Sequence, residues 1–107
     1  MTGKDLISRA FALEKVERIP WVPFVGCHGG KLIGANATEY LQSSELIFKG
    51  ISKAVELYNP DGIPVMFDLQ IEAEALGCKL AWSEENPPAV VSHVLLEGKK
   101  LSDLKVP

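Results

Sequence analysis

The chain has 107 residues, 47% of them hydrophobic and 23% charged, with a net charge of −3; this is the composition of one ordinary globular domain. A negative balance argues against nucleic acid as a partner, because phosphate binding needs clustered Lys and Arg, and the doublet Lys99-Lys100 reads as a solvated turn. No apolar run approaches the roughly 20 residues of a membrane helix, and Met1-Thr2-Gly3-Lys4-Asp5 lacks the apolar core of a signal peptide, so a cytoplasmic protein is expected.

Thr2-Gly3-Lys4-Asp5 has the form of a capping box, a hydroxyl and a carboxylate three residues apart. Behind it Leu6, Ile7, Ala10, Phe11 and Leu13 fall at helical spacing, which predicts an amphipathic helix over about 3–14. Arg18-Ile19-Pro20 breaks that pattern. Trp21-Val22-Pro23-Phe24-Val25 then predicts a short first strand, its prolines leaving few ladder partners. Gly26, Gly29 and Gly30 make a permissive loop.

Lys31-Leu32-Ile33 predicts a helical turn ended by Gly34, and Thr38 is the expected N-cap of another turn through Leu41. A long helix follows over about 44–57, with Ile47, Ile51, Ala54, Val55 and Tyr58 forming an apolar stripe. Asn59-Pro60-Asp61-Gly62 is a dense turn signal. The continuous apolar run Ile63 to Phe67 predicts a second strand covered on both faces, closing on Asp68. Strand, helix, strand in that order predicts a parallel βαβ unit with a right-handed crossover.

Leu69 to Cys78 reads as a short acidic helix that stops at Gly77. Leu80-Ala81-Trp82 and Val90-Val91 are expected as short extended segments around the Asn86-Pro87-Pro88 loop, with one helical turn at Ser102-Asp103-Leu104. Two parallel strands with helices on one side do not close a core. A barrel of this class needs about 250 residues, so the sequence reads as the front of a larger protein.

These residues resemble the N-terminal part of the uroporphyrinogen decarboxylase superfamily, which includes zinc-dependent methyltransferases fed by corrinoid proteins. The resemblance is carried by the opening helix with Glu17-Arg18-Ile19-Pro20, by the strand 60–68 ending in Asp68, by Glu72-Ala73-Glu74-Ala75-Leu76-Gly77-Cys78, and by Pro87-Pro88-Ala89-Val90 with Leu101 to Pro107. It covers nearly the whole chain and is most specific over 60–78.

The resemblance implies an α/β fold, the N-terminal portion of a (β/α)8 TIM barrel, incomplete in this chain. Residues 1–107 would hold the N-terminal helices, the first two strands and the approach to the third. Within the superfamily, true decarboxylases place an arginine-rich segment after the first strand to grip substrate carboxylates, a task for which Arg is suited. Here that segment is Val25-Gly26-Cys27-His28-Gly29-Gly30-Lys31, without arginine. Where decarboxylases carry Phe-Ser-Asp, this chain has Met66-Phe67-Asp68 and shares only the Asp.

The methyltransferase branch is therefore the closer likeness, with Glu72 to Cys78 resembling it best. It implies zinc and a protein-bound corrinoid in a full-length parent, a corrinoid protein as partner, and a small thiol or folate as methyl acceptor. Its zinc ligands would lie later in the barrel, so this chain alone would bind no cofactor and would be inactive. The alternatives are a uroporphyrinogen decarboxylase-like enzyme with another acidic substrate, and a non-enzymatic truncated or assembly module. An isolated piece with an open sheet would form a homo-oligomer or swapped assembly, or remain partly molten.

Among single residues, Asp68 is the candidate catalytic group, a carboxylate at a strand end where sites are built, with helix capping as its other reading. His28 sits in the glycine loop after the first strand and is a substrate-contact candidate; a solvated loop histidine is the alternative. Glu72 is the second contact candidate, although early helical carboxylates also favour the dipole. Glu72 and Glu74 point to different sides of a helix and are not a catalytic pair. Trp21 and Trp82 read as packing residues. Cys27 reads as structural, and Cys27, His28, Cys78 and His93 lack zinc-finger spacing.

Overall fold

The computed structural model describes residues 1–66 and 68–106. Phe67, which the sequence placed at the end of the second strand, and Pro107 lie outside the described residues. Helix α1 spans Gly3–Phe11, capped as its sequence predicts: Thr2 Oγ1 accepts the Asp5 N–H and the Asp5 carboxylate accepts the Thr2 N–H. It ends earlier than the apolar spacing suggested. Leu13 takes a left-handed backbone angle (φ 58°), and both Phe11 and Leu13 are left exposed. Only Leu6 of this helix is fully buried.

Helices α2 (His28–Leu32), α3 (Ala37–Leu41) and α4 (Ser44–Tyr58) pack together. The N-cap of α3 is Asn36, not Thr38. Asn36 Oδ1 accepts the Glu39 N–H at 2.9 Å, whereas Thr38 donates its hydroxyl to the Ser83 carbonyl at 2.7 Å. An amide and a Glu three residues on fill the capping box, which frees the threonine for a long-range bond. Helix α4 runs as expected, from a Ser43 cap to Asn59 in the left-handed conformation. Its buried positions are Gly50 and Ala54, while Val55 and Tyr58 stay largely exposed.

Gly50 is a point of close backbone approach in this cluster. A Cβ there would come within 2.6 Å of the Gly29 carbonyl oxygen and of the Tyr40 ring. Tyr40 is fully buried in the gap that Gly29, Gly30 and Gly50 leave, and forms the core with Leu6, Ala37, Ala54 and Val94.

Among the described residues the two expected parallel strands form no ladder. Residues 21–25 are without regular structure, as are 63–66. Pro23 and Pro64 each remove a backbone donor, and Pro20 and Pro60 stand just before the two segments. The direction of the βαβ unit is nevertheless present. Asp61 N–H donates to the Trp21 carbonyl at 3.0 Å at one end. At the other end Gly26 and Cys27 meet Met66 and Asp68 around one cleft. The segments therefore run side by side in the same sense, joined by α4.

Helix α5 (Ile71–Ala75) is short and stops before Gly77, whose φ of 100° only glycine takes easily. The regular sheet among the described residues is an antiparallel pair, β1 (Leu80–Ala81) with β2 (Ala89–Val90), in register Leu80 to Val90 and Ala81 to Ala89. It brackets the Asn86-Pro87-Pro88 loop as expected. A 3-10 turn follows at Leu101–Asp103. No helix of the described residues is long and apolar enough to cross a membrane.

The chain is extended for its size. Its radius of gyration is 18.0 Å, against roughly 13 Å for a compact domain of this length. It exposes 7795 Å², whereas a compact chain of this mass exposes roughly 5,900 Å². Ile19, Phe24, Val65 and Leu69 are among the large apolar side chains left in solvent. The βαβ direction is present, but its apolar faces are uncovered.

Candidate functional site

The ends of the two parallel segments open on a cleft of about 150 Å³. Its walls come from Gly26 and Cys27 after the first segment, Met66 and Asp68 after the second, and Leu41 at the end of α3. Leu69, Gln70, Pro87 and Pro88 complete it. The cleft is thus apolar apart from the Asp68 carboxylate, the Cys27 thiol and Gln70.

Asp68 is exposed, and its Oδ1 accepts the Gln70 backbone N–H at 2.8 Å. That bond shapes the turn into α5 without making Asp68 the helix N-cap; Gln70 occupies the cap position, with no side-chain capping bond. Cys27 is half-buried, and burial raises its thiol pKa above the ordinary value, partly offset by a backbone hydrogen bond and by Lys31. Burial thus favours the protonated thiol.

The other two candidates do not join Asp68. His28 opens α2 and turns to the end of α4, where its Nε2 lies 2.6 Å from the Tyr58 hydroxyl and the two rings stack at 5.8 Å. The Gly29–Gly50 contact holds α2 at that distance from α4. Glu72 instead borders a separate, open apolar groove with Ile71, Ala75, Leu76 and Val106. Glu74 does not border the cleft either.

Sequence reasoning missed Leu41, Met66 and the Pro87-Pro88 pair as cleft walls, and it gave Cys27 only a structural role. The Pro-Pro loop carried the one usable signal, since a rigid loop beside a strand end is a natural wall. It also missed the pairing of Arg18 with Asp61. Cys27, His28, Cys78 and His93 do not assemble: among the described residues no three His, Cys, Asp or Glu side chains are placed to hold a metal ion. These residues do not fit a zinc site.

Two parallel segments joined by α4 converge on a cleft with a carboxylate in its wall, the kind of place where α/β proteins build their sites. Residues 2–107 match the family model for uroporphyrinogen decarboxylase. The chain belongs to the uroporphyrinogen decarboxylase family. Comparison with curated proteins and with solved structures gave no match.

Proposed function

We propose that residues 1–107 are the N-terminal segment of a (β/α)8 barrel in a methyltransferase that moves a methyl group from a corrinoid protein to a thiol or similar acceptor. The observation that carries this reading is the convergence of the two parallel segments on the Asp68 cleft, with no Arg or Lys in its wall. A polycarboxylate substrate requires fixed cationic donors, and this wall offers a carboxylate instead. The uncovered faces of Phe24, Val65 and Leu69 are also what an incomplete barrel would leave.

In this reading Asp68 orients the acceptor and stabilises charge at the barrel mouth. His28 and Glu72, which lie apart from the cleft, support the loop and the helix around it. The branch also uses zinc, which activates a thiol when bound. The described residues do not fit that ion, and no step is assigned to it. The chain by itself is then inactive. A decarboxylase-like enzyme is the second reading, favoured by the family match itself.

Native mass spectrometry of the protein purified from its source tests the proposal by reading chain mass and bound metal together. A chain far heavier than 11.7 kDa carrying one zinc supports the methyltransferase. A metal-free chain of 11.7 kDa rules out catalysis by this protein alone and leaves an assembly module.

A further inference from the structure

The cleft has one committed and one open carboxylate oxygen. Asp68 Oδ1 is held by the Gln70 N–H at 2.8 Å, while Oδ2 has no partner among the described residues. The wall that Asp68 shares with Leu41, Met66, Leu69, Pro87 and Pro88 gains no charge from them. Lys31 is near enough to act on the Cys27 thiol but does not line the cleft. An apolar cavity of about 150 Å³ is enough to hold a benzene-sized molecule, and this cleft has that volume with one anionic edge.

We infer that the cleft selects a small ligand with an apolar body and one cationic, hydrogen-donating end, an alkylammonium group docking on Asp68 Oδ2, and that it rejects carboxylates. The inference rests on the reading of the Asp68 cleft as the ligand site and narrows it: an aminothiol acceptor is favoured over a mercapto acid. The apolar body is drawn in by burial of its surface against Met66, Leu41 and the prolines. The ammonium then replaces part of its water shell with a charge-assisted bond to Oδ2. A carboxylate end would face Asp68 with like charge and no compensating donor.

The chain carries two methionines, Met1 and Met66. Met66 lines the cleft, whereas Met1 lies in a separate groove with Asp5, Ser8 and Arg9. In methyl NMR on the intact protein the Met66 resonance, assigned with Met66→Leu, is the reporter and the Met1 resonance the internal control. Isoamylamine, isoamyl alcohol and isocaproate are probes of similar shape with cationic, neutral and anionic ends.

The expected result is a Met66 shift that saturates with isoamylamine at about three- to fivefold lower concentration than with the alcohol, the range of an exposed ion pair, with no saturation by isocaproate. Asp68→Asn should remove the preference for the amine over the alcohol. Equal binding of amine and alcohol would overturn charge selection and leave the cleft as a ligand site. If no probe moves Met66 relative to Met1, both the selection and the site reading fail.

Discussion

Arg18 and Asp61 meet fork to fork: Nη1 lies 2.6 Å from Oδ2 and Nη2 lies 2.5 Å from Oδ1. The same Asp61 carboxylate accepts the Trp21 N–H at 2.8 Å, and the Asp61 N–H returns a bond to the Trp21 carbonyl. A single residue at the start of one segment thus fixes the start of the other, across 43 positions of sequence. The side chain of Asp61 is only 6% exposed. Planar guanidinium geometry suits this bidentate bond, so lysine would not substitute for Arg18.

The pair makes stability depend on acid. Arg18 first, and then the Trp21 N–H, hold the Asp61 pKa at about 2, below the roughly 3.9 of an unfolded aspartate. A depressed folded-state pKa adds stability that is complete above the unfolded value and is lost as pH falls through the folded one. Melting temperature should therefore drop between about pH 4 and about pH 2, and drop less steeply in Asp61→Asn. Parallel curves for the two proteins, followed by circular dichroism, would remove Asp61 from acid unfolding.

Gly50→Ala tests the packing of α2 on α4. Alanine is the better helix former by about 1 kcal/mol. Its Cβ, however, would stand 2.6 Å from the Gly29 carbonyl oxygen, which is backbone and cannot swing aside. Overpacking of this kind costs about 1–3 kcal/mol, so urea unfolding should show a net loss of up to about 2 kcal/mol despite the propensity gain. A stabilised variant would mean that the two helices separate without cost.

What could be read from sequence divides by the range of the interaction. The Thr2–Asp5 capping box, the span of α4 and the stop at Gly77 depend on neighbours within four residues, and each formed as expected. The strands failed because ladder formation needs partners that apolar composition alone does not reveal, and prolines at 23 and 64 withdraw donors. Thr38 was misread as a cap because its partner, the Ser83 carbonyl, lies 45 positions away. Asp68 was singled out by its place at a segment end, and it lines the cleft. The walls facing it, Leu41 and Pro87-Pro88, come from distant loops and carry no local mark.

Tyr58→Phe separates the His28 contact from the stacking beside it. The substitution keeps a ring against the imidazole and removes only the hydroxyl at 2.6 Å from Nε2. For a solvent-exposed bond the loss should be about 0.5 kcal/mol, the low end for hydrogen bonds, by denaturant unfolding. In the Asp68 ligand assay this variant should match the parent, because neither Tyr58 nor His28 lines the cleft. Weakened ligand binding in Tyr58→Phe would bring His28 back into the site.

Cys27 and Asp68 border the same cleft, and this gives a chemical test of access to it. Burial raises the Cys27 pKa, and the thiolate is the reactive form toward disulfide reagents. Cys27 should therefore react more slowly at neutral pH than an unhindered peptide thiol, and faster as pH rises. Isoamylamine seated against Asp68 should slow it further, while Cys78, outside the cleft wall, keeps its own rate. A Cys27→Ser control identifies which thiol is counted. Unchanged Cys27 kinetics at saturating amine would show that the ligand does not occupy the wall that Cys27 shares with Asp68.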